Sequence, residues 1–516
     1  MWTVGRKQVV VGAILGTLCL AVAAFIVVNE TRVRAENGPL WRANGVADPG
    51  SSAEPSAESS ISATSAPANC GRLAFDLPSA SALRAYPKKV FAYYFPPYPV
   101  SIENKDPGSD YWSKWNANPV PGVKQGDGML DRPLSRAPLS GDNWRQKDFE
   151  TEIRQAMGMG LDGFIWEYHT NSTDARWNRL PEMLAAVKAV DSGFRIMLSP
   201  DLVKGADTAP EQIINDVMKV KDEPALYKVD GAIVLAPFSA DRKPPAWWDQ
   251  VRAALAANGV KTVLVPYLAG SPATKAAEWN NSVYGYASWG NRWESGAEAN
   301  RKGAGEAHAK SRVYLATAAF EDIRIYDGRY WEARGSAALR AMMEKSIEGN
   351  AEWIGLVTWN DYTESWIGPS RERGTAVGDV LAYYSAWFKT GKRPTLVRDA
   401  LYYFHRSQLT TASYDTGKQT VKMYIPYGDP AVNEVELLAF LAEPATLVIT
   451  QGNNVQRKDF PAGVASFKAP LLPGTTPAFD IQRNGSTVHK VQSKTPVRSS
   501  VSTQDLMYHA GGATAC

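Results

Sequence analysis

Short apolar, β-branched and aromatic runs recur along the chain at 90–95, 163–168, 194–199, 231–236, 262–267, 283–288, 313–318 and 353–359. Between several of them, residues 149–159, 180–190, 211–220, 247–257 and 337–348 place apolar side chains at helical spacing. Strand–helix alternation of this kind predicts a parallel sheet with helices over it. Eight strands over roughly 300 residues predict a closed (β/α)8 TIM barrel rather than an open doubly wound sheet. The first turn has no GxGxxG, so a nucleotide-binding version has no support. The barrel is assigned to residues 71–394, and its last helix to 379–388.

At Gly391-Lys392-Arg393-Pro394 the pattern changes. Alternating runs at 421–425, 435–441, 446–450, 464–469, 478–482 and 488–491, with turn residues between them, predict a C-terminal antiparallel β-sandwich over 395–494. Residues 495–516 read as an irregular tail.

The N-terminal pattern is of another kind. Arg6 and Lys7 precede the uncharged, largely apolar stretch 8–28. About 20 such residues suffice to cross a bilayer and exceed the h-region of a secretory signal. Residues 1–35 are therefore expected to be a signal-anchor with its N-terminus inside, in preference to a cleaved signal peptide. The remainder is then exported, membrane-anchored or secreted. Residues 36–70, rich in Ser, Ala and Pro, form a linker too polar to build a core. With Cys19 in the apolar stretch, Cys70 and Cys516 remain as a pair that an oxidising compartment could join into a disulfide, two unpaired exposed thiols being the alternative.

Composition narrows the chemistry. The chain has 516 residues, and 56 basic against 53 acidic side chains leave a formal charge of +3, which gives no footing for a nucleic-acid partner. Three Cys and five scattered His provide no zinc pattern, and neither a metal nor a cofactor is expected. The 17 Trp and 22 Tyr, against 15 Phe, favour flat faces with a hydrogen-bonding edge, as sugar rings require. A monomer is expected.

The long segment 95–147 follows the first strand and is rich in Pro, Gly and Trp, which reads as a functional loop over the C-terminal mouth. Carboxylates at strand C-termini are Glu167, Asp201, Glu321, Asp322, Asp361 and Glu364. Only after the last strand do two fall in one short aromatic stretch, Thr358-Trp359-Asn360-Asp361-Tyr362-Thr363-Glu364-Ser365-Trp366. Hydrolysis of a glycosidic bond needs such a pair, one carboxyl protonated and the other ionised. On an extended chain, residues three apart lie ~10 Å from one another and on opposite faces. The chain must therefore turn after Asp361. Tyr93, Tyr94, Trp166, Trp289, Trp293, Trp359, Tyr362 and Trp366 are candidate sugar platforms, and Asn360, Glu167, Asp201 and Glu321 candidate polar contacts.

Residues 358–369, ending in Ile367-Gly368-Pro369, closely resemble the strand-eight signature of glycoside hydrolase family 71, the endo-α-1,3-glucanases or mutanases. Phe91-Ala92-Tyr93-Tyr94-Phe95, Gly160-Leu161-Asp162-Gly163-Phe164, Ser199-Pro200-Asp201-Leu202 and residues 441–447 extend the resemblance over about 89–491. It implies an inverting hydrolase of an α-linked polysaccharide, metal-free, with Glu364 as general acid and Asp361 as general base, the reverse remaining open. Thr363 stands where the family usually has Gly, Trp366-Ile367 replaces a His-Tyr-Ile run, and 320–324 departs from the family pattern. The alternatives are a hydrolase of a different envelope α-glycan and a non-catalytic glycan-binding barrel.

Overall fold

In the computed structural model of the protein, the described residues are 73–115, 129–170, 172–191, 193–203 and 207–515. The signal-anchor, the linker, Cys70 and Cys516 lie outside them. Among the described residues, no helix is long and apolar enough to cross a membrane.

Eight parallel strands build the first unit: β1 (Lys89–Tyr94), β2 (Gly163–Tyr168), β3 (Arg195–Pro200), β4 (Ala232–Leu235), β5 (Thr262–Leu264), β6 (Gly285–Ala287), β7 (Val313–Ala318) and β8 (Trp353–Leu356). Each is followed by a helix: α1 (Trp144–Gly158), α2 (Leu180–Val190), α3 (Pro210–Val220), α4 (Pro245–Ala257), α5 (Pro272–Trp279), α6 (Glu298–His308), α7 (Ala337–Glu348) and α8 (Ala376–Thr390). β1 lies between β8 and β2, so Ala92 pairs with both Leu356 and Phe164. The sheet runs on through β3, β4 and β5 on one side, and through β7 and β6 on the other. It curls until its ends meet, where Tyr284 N donates to Leu264 O (2.8 Å) and Ala287 N to Pro266 O (3.1 Å). A parallel bridge joins Tyr267 to Ala287 there.

Alternation sorts the strand residues between two cores. Phe91, Tyr93, Ile165, Met197, Val234, Val265 and Leu315 fill the inside of the curl. Val90, Ala92, Tyr94, Phe164, Trp166, Ile196 and Leu198 face the helices. The interior is full enough to dictate Gly355, where a Cβ would stand 2.7 Å from Leu315 and 2.8 Å from the Tyr267 hydroxyl.

The second unit contributes β9 (Ala400–Arg406), β10 (Gln408–Tyr414), β11 (Glu434–Leu441), β12 (Ala445–Gln451), β13 (Asn454–Phe460), β14 (Gly463–Pro470), β15 (Ala478–Arg483), β16 (Ser486–Gln492), β17 (Arg498–Val501) and β18 (Tyr508–Thr514). Two four-stranded antiparallel sheets, β14-β11-β9-β18 and β13-β12-β15-β16, share one core that includes Leu401, Leu437, Leu447, Ile449, Phe479 and Ile481. β10 and β17 form a separate parallel pair.

Two expectations are corrected here. The tail 495–516 is not irregular: β18 is an edge strand paired with β9 along its whole length. Its Tyr-His-Ala-Gly-Gly-Ala-Thr sequence lacks a strand's alternation because its glycines serve close approach instead. A Cβ on Gly512 would lie 2.1 Å from Leu401 O, and one on Gly511 2.6 Å from the Tyr403 hydroxyl. Residues 421–425, which alternate correctly, form no strand; the Met423 amide donates to the Gln504 side chain (2.9 Å) and its side chain is buried.

The units are joined by buried polar contacts. Arg406 meets Glu332 at 3.0 Å, the Tyr508 hydroxyl donates to Glu332 at 2.6 Å, and Ser336 N donates to Glu436 at 2.7 Å.

Candidate active site

Past Leu356 the chain leaves the sheet and doubles back. Thr358 N donates to Ser365 O (3.1 Å), Ile367 N to Thr358 O (2.9 Å) and Glu364 N to Asp361 O (3.1 Å). Asp361 and Glu364 are thus the first and fourth residues of a β-turn, which brings their Cα atoms within about 7 Å. This is the turn that two carboxylates sharing one pocket demand. Thr358 fixes its base, accepting from Asp361 N (2.7 Å) and donating to Ser365 O (2.6 Å) through one hydroxyl. Asn360 ties it to the first loop by accepting from Phe95 N (2.8 Å) and donating to Phe95 O and Tyr98 O. Asn360 is therefore a structural clamp rather than a substrate contact.

Both carboxylates are buried, and their surroundings differ. Asp361 Oδ1 accepts from Thr363 N (3.2 Å) and from the Thr363 hydroxyl (2.6 Å). The residue that stands in place of the family's glycine thus supplies a hydrogen bond to Asp361. Glu364 accepts from the Tyr326 hydroxyl (3.0 Å) and faces the Arg324 guanidinium at 3.2 Å. Arg324, Tyr326 and Thr363 were not selected from sequence. The first two reach Glu364 from an insertion after β7 whose pattern predicts nothing.

Around the same mouth, β1, β2 and β3 follow β8 in sheet order. Their ends present Tyr93, Glu167, His169 and Asp201. The Tyr93 hydroxyl bonds Ser199 (2.8 Å), and His169 Nε2 lies 3.0 Å from Asp201 Oδ2, with its ring stacked 3.8 Å from Trp177. One ligand atom each from Glu167, His169 and Asp201 lies within 4.8 Å of the others. Such a donor set can hold sugar hydroxyls or a divalent cation. His169 was missed because its partner lies a strand away in sequence, and only adjacent strand ends bring them together. Trp289, half-buried, stacks edge-on against Tyr93 (5.0 Å) and Phe238 (4.6 Å) beside this group.

The other aromatic candidates do different work. Tyr94, Trp166 and Trp359 face the helices: Tyr94 and Trp166 stack at 5.1 Å, and both Tyr94 OH (2.8 Å) and Trp359 Nε1 (2.9 Å) donate to Glu152 on α1. Burial pushes the Glu152 carboxyl up to about 8. Tyr362 and Trp366 lie in a cluster with Tyr98, Trp112, Met129, Met423, Leu506 and Met507. Trp366 Nε1 donates to Asp131 (3.0 Å), and the Arg373 guanidinium covers its face at 3.9 Å. None of these five can offer a face to a sugar, because each is walled in by protein. Trp293 packs edge-on against Tyr427 of the second unit (5.3 Å). Glu321 is corrected as well: it pairs with Arg373 and accepts from Tyr508 N (3.2 Å), and burial lifts it to about 7. It joins the two units and does not line the mouth.

A cavity of about 430 Å³ lies elsewhere, between α7, α8 and the second unit, lined by residues such as Arg340, Tyr384 and Trp387. It shares no lining residue with the strand-end group.

Comparison with known proteins gives the chain's relatives. A glucan endo-1,3-alpha-glucosidase of Schizosaccharomyces pombe is 23% identical over 380 residues, covering 68% of this chain and 86% of the relative. An ascus wall endo-1,3-alpha-glucanase of the same organism is 20% identical over 244 residues, covering 44% and 55%. Among solved structures, a GH99 endo-alpha-mannosidase of Bacteroides thetaiotaomicron superposes with a TM-score of 0.46 at 13% identity, covering 58% of this chain and 97% of that one. The description of Glycosyl hydrolase family 71 matches residues 140–510, most of the chain and all of the β8 turn, and the protein belongs to that family of O-glycosyl hydrolases.

Proposed function

We propose that the protein hydrolyses α-1,3-glucan, or a closely related α-linked polysaccharide, with Asp361 and Glu364 as its carboxylate pair. The observation that carries this is the β8 turn, which puts the two acids at the ends of one four-residue turn in a chain of family 71. One carboxyl gives its proton to the leaving oxygen, and the other activates a water on the opposite face of the ring, inverting the anomeric centre. Assigning the acid to Glu364 requires it to take up a proton beside Arg324. Trp289, Glu167, His169 and Asp201 are read as the sugar-binding side of the mouth, with the buried Tyr93 packed behind Trp289. The curled sheet, with its Tyr267–Ala287 bridge, is read as a (β/α)8 barrel and the paired antiparallel sheets as a β-sandwich. The apolar N-terminal stretch supports an exported, anchored or secreted monomer, with Cys70 joined to Cys516.

The test is release of reducing ends from insoluble α-1,3-glucan, with α-1,4-glucan and α-mannan as controls. Activity on the first alone is expected. Hydrolysis of another α-glycan instead would replace the substrate, and binding without hydrolysis would mark a non-catalytic glycan-binding protein.

A further inference from the structure

Arg324 and Tyr326 reach Glu364 from a short hairpin, Ile323–Arg324 paired with Arg329–Tyr330. That hairpin is pinned on both sides. Ile323 N donates to Glu364 O (2.8 Å), Tyr330 N to Tyr424 O (3.1 Å) and Tyr424 N to Gly328 O (2.9 Å). Arg324 is itself fixed by Asp322, with Nε–Oδ1 at 2.8 Å and Nη2–Oδ2 at 2.9 Å, and Asp322 is shared with Arg292 at 2.9 Å.

The charges around Glu364 can be summed. Arg292 and Arg324 share Asp322, which leaves one positive charge over, and Arg329 is matched by Asp327. Asp361 stands at the other end of the turn, and Tyr326 is a neutral donor. The Glu364 carboxylate is, beside Asp322, the anion that the Arg324 guanidinium faces directly.

We propose that Arg324 and Tyr326 are positioning residues that fix the orientation of Glu364 and favour its charged form. The inference rests on Glu364 belonging to the catalytic pair. An opposite charge this close lowers a carboxyl's pKa by roughly 1–3 units, and burial of the pair limits screening by water.

The experiment is the pH dependence of kcat/KM on a soluble α-1,3-linked oligosaccharide for the wild type, Arg324→Gln, Arg324→Lys and Tyr326→Phe. In Arg324→Gln one limb of the profile is expected to move upward by ~1–3 pH units. Arg324→Lys, which keeps the charge, should return most of that shift, and Tyr326→Phe should move the same limb by less. A moved alkaline limb makes Glu364 the acid, and a moved acidic limb makes it the base. A folded Arg324→Gln with both limbs at their wild-type positions overturns the proposal. Should that variant not fold, unmoved limbs in Tyr326→Phe overturn it alone. Near-normal turnover in Glu364→Gln would remove the premise, whereas an inactive Glu364→Gln with unmoved limbs sinks only the positioning role.

Discussion

Tyr93 and Tyr94 are neighbours on β1, equally buried, and belong to different parts of the molecule. Tyr93 points inside the curled sheet, its ring meeting Tyr267, Phe238 and Trp289 and its hydroxyl bonding Ser199 beside the strand-end acids. Tyr94 points outward and binds the helix layer through Glu152. One residue step divides a face that leads to chemistry from a face that holds the fold. Side chains above the inner face should therefore alter kinetics and spare stability, while those on the outer face should do the reverse.

The largest effect expected is at the turn. Asp361→Asn and Glu364→Gln keep shape but cannot exchange protons, so each should lower kcat by at least about a hundredfold in the folded protein. If neither slows hydrolysis, the inner face is not where the chemistry lies. Next comes the outer face. Trp166→Ala should cost roughly 3–5 kcal/mol in denaturant unfolding while the folded fraction keeps its KM. A raised KM without loss of stability would return Trp166 to the substrate.

Trp289→Ala is the inner counterpart. Loss of an aromatic face is worth roughly 0.5–1.5 kcal/mol, so KM should rise by up to about tenfold, with a smaller change in melting temperature than for Trp166→Ala. A second outer-face effect is a slope. The Glu152 pKa is raised by folding, so the fold favours its uncharged form; the stability it contributes is complete below about 4.5 and is lost as pH rises to about 8. Glu152→Gln, uncharged throughout, should flatten the dependence of stability on pH across that window. An identical slope in both proteins would show that the carboxyl titrates near its ordinary value.

Local pattern located several elements well. β2, β7, α2 and α7 begin and end where periodicity puts them. β5 stops at Leu264 although the apolar run continues, because Pro266 has no N–H for the ladder. The proposed carboxylate pair could be picked out because both acids lie within four residues. Its surroundings were not, since Arg324, Tyr326 and His169 come from other strand ends. The aromatic candidates show the same boundary. Composition marks Trp359 and Trp366 as surfaces for sugar, but whether a ring is open or covered depends on Glu152, Asp131 and Arg373, none of which is a sequence neighbour. β18 was hidden because its glycines answer to Leu401 and Tyr403, over a hundred positions earlier.

The cluster behind the turn has a consequence for how the protein is made. Leu506 and Met507 pack with Tyr362 and Trp366, while the Tyr508 N–H donates to the Glu321 carboxylate and the Tyr508 carbonyl accepts from the Arg373 guanidinium. A ribosome delivers Asp361 and Glu364 long before it delivers those supports. A nascent chain thus carries its two acids for a time without the wall that steadies them. A message truncated anywhere before Leu506 would leave that wall incomplete. Synthesis itself thus delays completion of the wall behind the turn until residues 506–508 are made.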